Sequence, residues 1–155
     1  RTTHLGPALD GGLAAAFVLA GTLPRADGSA GRWDRALANT GRVLFGIAAV
    51  VFGVDHFLAL KLIASLIPEW MPGHVFLASL TGAAMIAAGV GIVTKKLAGP
   101  GAFLLGTMFL VIVLTLHVPR VLADLHSPDE WSSALIAFGM CGASWICAGG
   151  RNPAR

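Results

Sequence analysis

Five histidines and eight carboxylates are the groups of this 155-residue chain best suited to moving protons. Asp55-His56 stands out among them because it lies near the end of a long apolar stretch at 42–60. An ionisable side chain in such a stretch faces a bundle interior or a wet cavity rather than lipid. His117 closes a second apolar stretch just before Pro119 and Arg120, and a proline-bounded link at 67–74 carries Glu69 and His74. Asp55, His56, Glu69, His74, His117 and Arg120 therefore form a candidate polar pocket. Imidazole and carboxylate together could move protons beside a quinone headgroup, or orient a small anion. The plainer alternative has His56 bonded to a neighbouring backbone carbonyl and Asp55 paired with Arg120 to fix the loops. His56 with His117 is the one pair suited to a metal or haem, and no spacing motif supports it, so no metal site is assigned. Nucleophile elbows, phosphate loops and zincin motifs are absent, and no catalytic residue is assigned.

Long apolar stretches must position these groups. Four are plain, at 42–60, 74–94, 101–118 and 131–148. Each is near the roughly 20 residues needed to cross a hydrocarbon layer. Pro119 is expected to stop the third. The fourth opens on a capping box, with Ser127 as cap, Pro128 at the first helical position and Glu130 three residues on. Its helix should therefore start near Pro128 and stop at Gly149-Gly150. Gly89 and Gly91 read as a helix end, and Gly99-Pro100-Gly101 as a turn. A fifth stretch at 7–23, with Asp10 in its first turn, gives a marginal extra span. The chain opens on Arg1 rather than Met, so its true start is expected upstream or to have been processed. The organisation expected is an N-terminal segment with a span and linker at 1–40, a four-helix bundle at 41–150, and a tail at 151–155.

Composition agrees. The chain is 55% hydrophobic and only 12% charged, with a mean hydropathy of +0.76. A soluble domain carries roughly 25% charged residues, so a soluble globule and a disordered tail are excluded. The net charge of +3 comes without a basic stripe, which excludes a nucleic-acid partner. The fold class expected is all-α: a transmembrane helical bundle of four core spans plus the extra N-terminal one.

The basic residues punctuate the spans. Arg25, Arg32, Arg35, Arg42, Lys95, Lys96, Arg151 and Arg155 fall on one side, and Arg1, Lys61 and Arg120 on the other. The positive-inside rule makes the richer side cytoplasmic, with the C-terminus there. Trp33 and Trp145 would mark that interface, Trp70 and Trp131 the opposite one. All five histidines and most carboxylates then collect on the outer half. Small residues four apart, Ala49/Gly53, Ala83/Ala87, Ala84/Ala88 and Gly139/Ala143, predict close helix packing. Cys141 and Cys147 lie on different faces of one helix and read as small packing residues.

Several short motifs resemble the DoxX-like family of small membrane proteins: GRVLFG at 41–46, FGVDHF at 52–57 and IPEWMP at 67–72. AAGVGI at 87–92, LHVPR at 116–120 and DEW at 129–131 are similar too. The resemblance covers about 41–150 and implies a four-helix membrane bundle. It also implies company, since the family includes a small subunit associated with thiosulfate:quinone oxidoreduction and partners in membrane oxidoreductase assemblies. Three functions are expected in descending order. The first is an accessory subunit of a multi-subunit electron-transfer complex, respiratory or photosynthetic, in a bacterial inner membrane. In it, quinone would be the chain's own ligand, or pigment or haem would be held by partner subunits. The second is a quinone-linked oxidoreductase subunit for thiosulfate or thiol oxidation. The third, a small-solute transporter, lacks charged residues at the midplane.

Overall fold

The computed structural model describes residues 31–149. The stretch at 7–23, its flanking Arg1, Asp10 and Arg25, and the tail at 151–155 lie outside the described residues. Among the described residues there is no strand, and four helices are long and apolar enough to cross a membrane: Arg35–Leu58, His74–Val93, Ala98–Ala123 and Pro128–Gly149. Only about a third of each span is buried against the others. Large apolar side chains such as Leu44, Val51, Phe103, Leu104, Leu135 and Phe138 point outward from the rest. Lipid is the solvent that can cover such a surface. The chain is a multi-pass helical membrane protein.

Helix α1 (Arg32–Leu58) starts well ahead of the apolar stretch and carries its amphipathic first turns out of it. A break at Ala59 bends the chain into the short α2 (Leu60–Leu66), yet hydrogen bonds run through the bend from Ala59 N–H to Asp55 and from Ile63 N–H to Ala59. Pro68 ends α2 by forcing Ile67 into extended backbone. Gly73, left-handed with φ 73°, turns the chain into α3 (His74–Val93).

α3 ends in a tight return in which Lys95 is left-handed, with φ 64°. Helix α4 (Ala98–Ile112) follows at once. Gly99-Pro100-Gly101 is thus the first turn of a helix and not a loop, because proline near a helix start removes an N–H that has no helical partner. Likewise Gly89 and Gly91 lie inside α3 rather than ending it.

Pro119 does not stop the third span. A single π turn at Val113–His117 carries the chain into α5 (Val118–Ala123), with Val118 N–H reaching back to Val113. Proline cannot donate to the carbonyl four residues back, and its ring crowds that carbonyl. The wider π turn just ahead of it absorbs both effects. Helix α6 (Pro128–Gly149) begins at the expected proline.

The spans run up and down, each antiparallel to the next, with α1 on α3, α3 on α4 and α4 on α6. Glycines set the first seam. A methyl group on Gly89 would stand 2.5 Å from the Gly46 carbonyl oxygen, and one on Gly53 would stand 2.7 Å from that of Gly82. Seven-residue spacing on both helices lets the backbones touch twice. Gly106 does the same for α4 and α6, since a methyl there would meet the Trp145 ring at 2.5 Å. Of the small-residue pairs expected, Ala49/Gly53 lies in the first seam. Ala83 and Ala87 face outward, and Gly139 has no atom within 4 Å of where its side chain would start.

Arg42, expected as an orientation charge at the start of the first span, lies within that span and caps α3. Its guanidinium donates to the carbonyls of Ile92 and Val93 and to Asn39 Oδ1. Those carbonyls end a helix, where a cation also suits the dipole. Phe45, Ile92, Leu105, Cys141 and Cys147 fill the core between these seams, and both cysteines are free.

Candidate functional site: an intramembrane cavity

The half of the bundle opposite Lys95 is not filled. A cavity of about 480 Å³ lies between α1, α3, α4 and α6. Met85, Phe109 and Met140 form its floor, where it meets the buried core. Ile63 and Leu66 of α2, with Ile67, Pro68 and Met71 of the following link, close it from the end. The proline that stops α2 therefore shapes the roof. Leu66, Val111 and Ile136 line the cavity and are also exposed on the flanks of the bundle. The space thus communicates with the surroundings of the helices and is not sealed. Its volume falls in the range of small-molecule sites.

Two of the six candidate side chains line this space. His56 sits in the last turn of α1, where its Nδ1 lies 2.8 Å from the Phe52 carbonyl. A carbonyl can only accept, so Nδ1 carries the proton. That bond is the plainer reading of His56, and it leaves Nε2 for a ligand. His117 comes from the other side on the π turn, and its buried Nδ1 has no hydrogen-bond partner among the described residues. An orphaned polar atom beside an apolar cavity calls for explanation. The π turn, placed by Pro119, is what aims this segment inward together with Thr115 and Leu116.

The other four lie around the cavity and not in it. Asp55 is half-buried on α1 and has no side-chain hydrogen bond or ion pair among the described residues. Glu69 is exposed on the link. His74 Nε2 donates to the Pro68 carbonyl at 3.1 Å and ties the link to the start of α3. Arg120 does not pair with Asp55. It holds Glu130 in a two-pronged ion pair, Nε to Oε2 at 2.8 Å and Nη2 to Oε1 at 2.6 Å. The pair clamps the end of the third span to the start of the fourth, and the forked guanidinium matches a carboxylate in this geometry.

The same pair alters the expected cap. Ser127 Oγ accepts from the Glu130 N–H at 3.4 Å, as a capping box requires, but the Glu130 carboxylate turns to Arg120. Half of the box forms. Asp55 loses to Glu130 because Glu130 is brought next to Arg120 by the short turn between spans, whereas Asp55 sits on a helix across the bundle.

Sequence reasoning missed the thioethers. The chain has four methionines, and all of them, Met71, Met85, Met108 and Met140, line the cavity. Methionine is flexible and polarisable, and it is over-used where a surface must accept a ligand. They are spread around it, one each on α3, α4, α6 and the link after α2. Among the described residues no three His, Cys, Asp or Glu side chains gather as a metal site.

Such a cavity can take an apolar molecule from the bilayer, hold its body against thioether and aliphatic walls, and offer imidazole to its polar end. In comparisons with family models, curated proteins and solved structures, nothing matches this chain.

Proposed function

We propose that this chain is an accessory membrane subunit of a multi-subunit electron-transfer complex, and that it holds a quinone in its intramembrane cavity. The observation that carries the reading is the cavity itself, apolar over most of its wall and provided with two imidazoles, His56 and His117. A quinone has a ring and tail suited to such walls, and oxygens that gain and lose protons as the ring is reduced and reoxidised. Imidazole is the side chain best matched to that exchange near neutral pH. The resemblance of 41–150 to DoxX-like proteins supports a subunit role, as does the small share of residues 31–149 that lies outside the spans.

In this reading the membrane is a bacterial inner membrane. The end carrying Arg32, Arg35, Lys95 and Lys96 faces the cytoplasm, and the cavity lies in the outer half.

Extraction of the protein from its native membrane in a mild detergent tests both parts. Native-gel migration should place it with larger partners, and solvent extraction of the purified band should yield quinone in proportion to the chain. A His117→Leu chain should carry markedly less quinone. A wild-type chain that runs free and carries no quinone above the lipid background would sink the proposal.

A further inference from the structure

Hydroxyl groups in a hydrocarbon layer have few partners, so serine and threonine in a spanning helix usually bond back to the carbonyl four residues earlier. This chain follows the rule closely. Ser79 bonds to Val75, Thr94 to Val90, Thr107 to Phe103, Thr115 to Val111, Ser132 to Pro128 and Ser144 to Met140. Within α3 to α6, two hydroxyls depart from it. Thr81 on α3 and Ser133 on α6 make no hydrogen bond among the described residues. Both line the cavity, Thr81 half-buried and Ser133 exposed in the second turn of α6. His117 lines it as well, with its Nδ1 buried and orphaned among the described residues.

We infer that Thr81 and Ser133 are the positions that read the head of the cavity's ligand, each donating a hydrogen bond to an oxygen of a neutral, flat ring. This rests on the proposed binding function and goes further by naming the groups that give it selectivity. The two hydroxyls come from different helices, α3 and α6, so the head they suit bears more than one oxygen. The walls set the rest of the chemistry. Methionine sulfur packs well against aromatic and conjugated rings, and the described lining carries no carboxylate, lysine or arginine that would select a charged head. A phospholipid headgroup is therefore the poorer match.

The test uses the full chain in nanodiscs and two probes, decylubiquinone and decylbenzene, which share a tail and differ in ring oxygens. Binding is read by competition against a fluorescent apolar reporter. The wild type should prefer the quinone by about tenfold or more, as two hydrogen bonds allow. Thr81→Val with Ser133→Ala should remove most of that preference while leaving decylbenzene binding unchanged, which also shows that the cavity is intact. Thr81→Ser should restore about half of it on a logarithmic scale. Thr107→Val, whose hydroxyl lies off the cavity, should behave as wild type. A double variant that keeps the full quinone preference overturns the inference and leaves the proposed function standing. Absence of saturable quinone binding in the wild type overturns both.

Discussion

The guanidinium of Arg42 bridges from α1 to the last carbonyls of α3, groups that no helical N–H can reach. In a membrane-embedded bundle an unpartnered carbonyl is costly, and a charged donor is the strongest remedy available. Arg42→Met keeps the aliphatic stem and deletes the donors, so it should destabilise the bundle by about 1–3 kcal/mol. Detergent-titrated unfolding followed by circular dichroism measures this, and an unchanged midpoint would show that the capping bonds contribute nothing. The arginine was visible in the sequence as an orientation charge. Its capping role was not, because the partner carbonyls lie 50 residues away and only the α1–α3 register brings them near. Arg120 shows the same limit, since Asp55 was the partner expected and chain connectivity chose Glu130.

Between elements, contact distance decides what a glycine does. Gly89 and Gly139 are both helical glycines in apolar stretches, and neither sequence context separates them. In the fold one stands against the Gly46 carbonyl and the other against nothing. Gly89→Ala should force α1 and α3 apart and destabilise by about 1–3 kcal/mol or more. Gly139→Ala should be neutral or stabilising by about 0.5–1 kcal/mol, from helix propensity alone. Parallel unfolding titrations of the two variants check the contrast, and equal effects would remove the glycine seam as an explanation of packing. The spans themselves were legible, because twenty apolar residues have one solution in lipid. The fourth was legible almost to the residue, from Ser127, Pro128 and Glu130. Pro119 misled because proline in a spanning helix can be absorbed by a π turn, and that depends on neighbours the sequence does not display.

At the scale of the whole molecule, the bundle is packed at the Lys95 end and holds a cavity in the other half, beside the Gly53–Gly82 contact. Of the candidate site residues, His56 and His117 line the cavity. The remaining four candidates form its surroundings, since residue type alone does not say which way a helix is rotated. The methionines add a separate consequence. Oxidation converts a thioether into a polar sulfoxide, and this chain places all four of its methionines around one cavity. Damage that would be scattered in another protein is therefore delivered to a single place. Graded peroxide treatment should abolish uptake of an apolar probe in step with sulfoxide formation measured by mass spectrometry, while helicity persists. Retention of binding in fully sulfoxidised protein would contradict this. Methionine sulfoxide reductase should restore uptake, because the sulfoxide is the one step of thioether oxidation that the reductase reverses.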